Sequence, residues 1–329
     1  MFVFGDSLGD VGNNNHLPFS ILKANFPHNG IDYPGRKPTG RFSNGKNTVD
    51  FIAEKMKLPT SPPPYLTVRY AKLEAFMHGV NFASGGAGVL DSTNKKHCIT
   101  LDEQIEYYSN VHSQLSGQLG RTNLQTYLSM SVFAVVVGSN DIFAYLKSKH
   151  THASDTSIIT QMVSKYTQQL KKLYELGGRK FAIISTGPIG CTPSLREHSK
   201  TKECNEEANR LAVEFGVSVA QLMHGMASEL GDVKYTFFNT TVSLLGYIQN
   251  PEEHGFVQAK AACCGLGDLK AKIACIPFST YCSNRDNHIF WDFYHPTQIV
   301  SKMSADMIFH GSAPHTFPIN LNQLISSSL

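Results

Sequence analysis

The sequence predicts an α/β fold with a mostly parallel sheet covered on both faces. Short apolar, β-rich runs recur at wide intervals, each ends in glycine or a small polar residue, and amphipathic helical patterns lie between them. Phe2–Phe4 is the first strand, stopped by Gly5. A long insertion follows, whose prolines (Pro34, Pro38, Pro59, Pro62, Pro63 and Pro64) mark irregular surface structure. Val80–Ala83 is expected as strand two and Val132–Val137 as strand three. Ile158, Ile159, Met162, Val163, Tyr166, Leu170 and Leu173 follow helical spacing, closed by Gly177-Gly178. Phe181–Ser185 is the fourth strand, a helix is expected over Cys204–Leu230, and Val233–Phe238 is the fifth strand. Pro296 suits the first turn of a last helix. No repeat, low-complexity tract or linker divides residues 1–329, so one domain is expected.

Composition narrows the function. The chain has 329 residues, of which 41% are apolar and 17% charged, values of a globular protein with a full core. A net charge of +3, with dispersed lysines and arginines, argues against a nucleic-acid partner. The longest apolar run, Val132–Val137, is strand-sized, so no integral membrane segment is expected. No secretion leader is expected within these residues either, because the first of them already read as strand. Six of seven cysteines lie between Cys191 and Cys282 without metal-ligand pairing, and Cys98 stands apart. Disulfides closing surface loops are the expected use, which favours an oxidising compartment. The single Asn239-Thr240-Thr241 sequon is weakly consistent with that setting.

Four features fall at strand ends, where parallel sheets bind ligands. Ser7 follows strand one; read literally, Gly5-x-Ser7-x-Gly9 matches a nucleophile elbow, yet only six residues precede this serine. The run Asn81–Gly88 ends strand two, and Gly138-Ser139-Asn140-Asp141 follows strand three. Trp291-Asp292-Phe293-Tyr294-His295-Pro296 precedes the last helix. Taken singly each has a plainer use: a glycine turn, a helix cap at Asn140 or Asp141, one histidine among fourteen. Together they supply nucleophile, base, orienting carboxylate and oxyanion donors.

In these blocks the chain resembles the plant-type GDSL esterase/lipases of the SGNH hydrolase superfamily. Phe4–Asn14 is similar to the first family block, Val80–Gly88 to the second, Gly138–Asp141 to the third and Asp292–Thr297 to the last. Pro38–Gly45, Gly187–Cys191 and Cys263-Cys264-Gly265 resemble weaker family stretches between them. The resemblance implies a flavodoxin-like three-layer α/β/α sandwich around a mostly parallel five-stranded sheet. It implies Ser7 as nucleophile, His295 as base and Asp292 as its orienting carboxylate. The Ser7 and Gly85 N–H groups and the Asn140 amide would form the oxyanion hole, with Gly86 competing with Gly85. Family members usually carry a secretion signal, so an extracellular or vacuolar location is expected.

The expected activity is carboxylic-ester hydrolysis through an acyl-serine, on a small-molecule ester, without cofactor or metal. An acyltransferase using the same acyl-enzyme, and a silent binding or defence-associated protein, are the alternatives. Cys191 and Cys204 are expected to pair beside the Gly187–Gly190 turn. Cys263 and Cys264 are expected to bridge to Cys275 and Cys282 in an order left open, as is the oligomeric state. Two decoys are set aside. Gly40–Asn47 is one residue short of a P-loop and lacks a strand before it. His150-Thr151-His152 has no third ligand nearby in sequence and reads as an exposed loop pair.

Overall fold

The computed structural model describes residues 1–148 and 157–328, so the His150-Thr151-His152 pair lies outside the described residues. Four parallel strands lie side by side in chain order: β1 (Phe2–Gly5), β2 (Val132–Val136), β3 (Lys180–Ile184) and β4 (Lys234–Phe238). The fifth, β5 (Thr316–Pro318), pairs antiparallel with β4. The register puts Phe4 beside Val135, Val135 beside Ile183 and Ile183 beside Phe237.

Side chains alternate across this sheet with period two. Phe2, Phe4, Phe133, Phe181 and Phe237 all point to one face, where each buried ring contributes about 1.5–3 kcal/mol. That face is covered by α2 (Leu101–Leu119), α3 (Arg121–Ser129), α4 (Ser139–Ser148), α5 (Ser157–Glu175) and α6 (Glu206–Leu230). The opposite face carries smaller residues, Val3, Ala134, Val136, Ala182 and Ile184. There α1 (Thr48–Lys55), α8 (Gln298–His310) and α9 (Leu321–Ser326) pack closely through Ile52, Ile308 and Leu324. Between β4 and α8 runs α7 (Thr240–Gln249). Three layers result. None of the described helices is long and apolar enough to cross a membrane.

One expected strand is corrected. Val80–Ala83 is no strand of the sheet but a single parallel bridge beside β1, with Val3 N–H donating to Val80 O (3.0 Å) and Phe82 N–H to Val3 O (2.7 Å). Beyond it Ser84 N–H still donates to Gly5 O (3.0 Å), but the Gly5 N–H goes to the Gln104 side chain, and the Asn81 side chain binds backbone locally, donating to Gly9 O and accepting from Ala83 N–H, so no regular strand forms. The fifth strand is Thr316–Pro318, too short and proline-bearing to read as one. The helix expected from Cys204 starts at Glu206, because the Asn205 side chain caps it by accepting Ala208 N–H; left-handed Gly231 ends it.

All seven cysteines lie among the described residues. Cys191 pairs with Cys204 as expected, and the open order resolves as Cys263–Cys282 and Cys264–Cys275, leaving Cys98 free and buried. In the P-loop look-alike, Asn47 caps α1 in a capping box with Asp50, and Arg41 forms a buried bidentate pair with that same Asp50.

Candidate active site

The site forms at the carboxyl ends of β1 and β2. Gly5 ends β1 with φ of 130°, and a Cβ there would lie 1.8 Å from Val136 O, so only glycine lets the neighbouring strand approach. The buried Gln104 side chain of α2 holds both backbone groups of Gly5, accepting its N–H and donating to its oxygen, each at 2.8 Å. Ser7 therefore leaves the strand from a fixed point. Its N–H has no acceptor among the described residues.

Ser7, His295 and Asp292 meet although Ser7 and His295 are 288 positions apart. Ser7 Oγ lies 2.7 Å from His295 Nε2, and His295 Nδ1 lies 2.8 Å from both carboxylate oxygens of Asp292. An acceptor-only carboxylate requires Nδ1 to carry the proton, which leaves Nε2 to accept from the serine. Asp292 is itself held by the N–H groups of Tyr294 (2.9 Å) and His295 (2.8 Å). Asp292 and His295 are 6% and 8% exposed, so the pair is shielded from water while Ser7 is only half-buried.

The loop bearing this pair is anchored on three sides. Trp291 N–H donates to His295 O (2.8 Å), its indole N–H donates to Asn29 Oδ1 (3.0 Å), and Cys264 N–H donates to Trp291 O (2.7 Å). Trp291 is fully buried against Cys263, Cys264 and Cys275. Thus two disulfides back the loop. The Phe42 ring covers the imidazole of His295, with centroids 4.9 Å apart.

Asn140 sits in the first turn of α4, and its Nδ2 donates to Ala87 O (3.0 Å), its one acceptor among the described residues, which leaves a second amide hydrogen. Its neighbour Asp141 is buried, accepting from Val89 N–H, Leu90 N–H and the Thr93 hydroxyl. Gly85 is differently engaged. Its N–H donates to Asp10 Oδ2 at 3.0 Å, whereas the Gly86 N–H has no acceptor among the described residues. Burial pushes the Asp10 carboxyl up to about 6, against four backbone N–H groups that lower it. Burial likewise pushes Asp6 up to about 7, opposed by the Leu8 N–H and the His295 charge and reinforced by Asp141 and Asp10.

Beside Ser7 opens a cavity of about 100 Å³. Ser7, Asn140 and His295 line its mouth, and Val136, Ile184, Phe238, Leu244, Phe290 and Val300 line its apolar wall. Along α8 the lining residues Val300 and Ser304 are one turn apart on one face, about 6 Å at 1.5 Å per residue; Pro296, expected in the first turn, instead precedes the N-cap Thr297 and lines the cavity from the loop. Neither Gly85 nor Gly86 lines it.

Sequence reasoning did not assign roles to Gln104, Phe42, Asp10, Asn13 or Asn14. Asn13 donates to the oxygens of Asn81 and Ala83, and Asn14 donates to Gly85 O and accepts from the Ser84 hydroxyl. These asparagines fasten the serine turn to the glycine run. Their signal was visible as the dense polar stretch Asp10–Asn14 directly behind a strand. Gln104 gave none, being an ordinary helix residue in sequence.

A serine, histidine and carboxylate lie in line beside an apolar cavity at the strand ends of a three-layer sandwich, which is the SGNH hydrolase fold. Residues 1–308 match the family model for GDSL-like lipase/acylhydrolase. Two Arabidopsis thaliana proteins illustrate the relationship. GDSL esterase/lipase At5g55050 is 43% identical over 99% of this chain and 90% of its own length. GDSL esterase/lipase At3g50400 is 36% identical over 98% of this chain and 90% of its own. The chain belongs to the GDSL lipase/acylhydrolase family and is a carboxylic-ester hydrolase.

Proposed function

We propose that the protein cleaves esters of aliphatic acids through an acyl-Ser7 intermediate. His295 Nε2 takes the Ser7 proton as Oγ attacks the carbonyl carbon, and Asp292 stabilises the imidazolium. The oxyanion develops against the free N–H of Ser7 and the second amide hydrogen of Asn140. Gly85 is not assigned here because Asp10 holds its N–H; of the two glycines, Gly86 has the uncommitted donor. His295 then protonates the departing alcohol, activates water and regenerates Ser7. The observation that carries this reading is the 2.7 Å Ser7–His295 contact at the mouth of an apolar slot.

The slot favours an unbranched aliphatic acyl group, since polar partners are scarce along its wall. Hydrolysis is preferred over acyl transfer because nothing beside Ser7 holds an acceptor alcohol, and water reaches the half-buried serine directly. The whole chain forms one catalytic domain in this reading: its nucleophile follows the first strand and its base precedes α8. Three disulfides support an oxidising, secretory setting. A series of 4-nitrophenyl esters of rising chain length tests the proposal, with products separated into free acid and transferred ester. kcat/KM is expected to rise from acetyl to medium-chain esters, with free acid dominant even in millimolar alcohol. A flat profile would remove the acyl-slot reading, and dominant transferred ester would replace hydrolysis by transfer.

A further inference from the structure

One motif and one surface feature are not absorbed by the catalytic site, and they coincide. Asn239-Thr240-Thr241 is the only Asn-x-Ser/Thr triplet in the chain. Beside it lies a groove of about 590 Å³ between α6, the outer strands β4 and β5, and the start of α7. Asn239 itself lines that groove. So do Val213, Val217 and Val242, which are 45%, 52% and 36% exposed. Val213 and Val217 are one turn apart on α6, and Phe237 and Phe317 form the floor. Contiguous exposed apolar patches mark surfaces on which another group packs.

We infer that Asn239 carries an N-linked glycan whose first sugars lie along this groove. The chemistry of the side chain fits. Asn239 is the N-cap of α7, and the cap uses only Oδ1, which accepts the Val242 N–H at 3.2 Å. Its Nδ2 has no acceptor among the described residues. Glycosylation forms a bond from Nδ2 to the anomeric carbon of a lipid-linked oligosaccharide donor. That carbon's bond to the donor's pyrophosphate breaks, and Nδ2 loses one proton. Oδ1 survives unchanged, so cap and glycan coexist. Pyranose rings present C–H faces that pack on valine methyls and hydroxyl edges that face water, which matches an apolar groove open to solvent.

The fold also dictates when this happens. Thr241 is 6% exposed, and its hydroxyl donates to Thr186 O at 2.9 Å. The folded triplet is closed to a transferase, so modification precedes the packing of α7. Only Thr240 of the triplet faces the catalytic cavity; Asn239 and Thr241 face the groove, so the glycan stays outside the site.

The inference rests on the secretory setting proposed above, and the test separates the two. The full chain is secreted from plant cells behind a leader, and its cysteine pairing and Asn239 occupancy are read by mass spectrometry. The expected result is a disulfide-bonded chain with one glycan at Asn239, kept in Thr241→Ser and lost in Asn239→Asp, which preserves the cap acceptor. Without the glycan, ANS fluorescence is expected to increase and ester turnover to stay unchanged. A disulfide-bonded chain with bare Asn239 overturns the glycan inference alone, whereas recovery with free thiols overturns the secretory reading as well. A glycosylated protein whose ANS binding matches that of Asn239→Asp overturns the placement along the groove. So does a dimer that forms equally with and without the sugar, since a second copy would then fill it.

Discussion

In the proposed mechanism Ser7, His295 and Asp292 act as one device, so their losses are expected not to add. His295→Ala alone should remove nearly all turnover that Ser7→Ala removes, and Asp292→Asn should cost on the order of 10⁴-fold in kcat. Asn140→Ala is expected to lower kcat by about 10²–10³-fold with little change in KM, because its free amide hydrogen meets charge only in the transition state. Its plainer role as a helix cap would instead lower melting temperature and spare kcat; the side chain donates rather than accepts, which favours the first outcome. Asp6 offers a pH signature. Its folded pKa of about 7 exceeds the ordinary 3.8, so the native state holds the proton more tightly. That stabilisation is complete below 3.8 and lost as pH rises through about 7. Asp6→Asn is expected to flatten this slope by up to about 1.4 kcal/mol per pH unit. Urea midpoints of both proteins between pH 4 and 8 check it.

At the scale of elements, the legibility of the fold followed local chemistry. β1, β2, β3 and β4 announced themselves because each is an apolar run fully or largely buried, and α5 and α6 because their apolar stripes repeat every three to four residues. Val80–Ala83 read equally well but pairs only through single bridges at Asn81, to Val3 on one side and Pro64 on the other, a matter of tertiary surroundings that composition does not carry. Thr316–Pro318 pairs through only three residues, below what a pattern can signal. Bridge order was equally hidden, since adjacent cysteines differ only in direction; the fold turns Cys263 toward Cys282 and Cys264 toward Cys275. Because Cys264 also holds the Trp291 oxygen, the double change Cys264→Ser, Cys275→Ser is expected to lower stability by about 2–4 kcal/mol and to reduce kcat. Denaturant titration and turnover of that variant measure both effects. Ser304→Phe, one turn beyond Val300 on the cavity-lining face of α8, is expected to cut kcat/KM about 10–100-fold for the longest acyl chains while sparing acetyl esters.

For the whole molecule, the site is assembled from both ends of the chain. The first strand supplies the serine and the loop before α8 supplies the histidine, so the sheet and the disulfide-backed loop must both be in place before the 2.7 Å contact exists. Residue types and their order singled out Ser7, Asp292 and His295 as candidates, and the fold brings the three side chains together. The hydrogen-bonded frame around it, from Gln104 under Gly5 to Phe42 over His295, became visible only when distant segments were brought together. Labelling by a fluorophosphonate, followed by peptide mapping, tests the central claim most directly. The expected result is one equivalent bound at Ser7, greatly slowed in His295→Ala and absent in Ser7→Ala, with ester turnover lost in parallel. Label on another residue, or full turnover in Ser7→Ala, would contradict it.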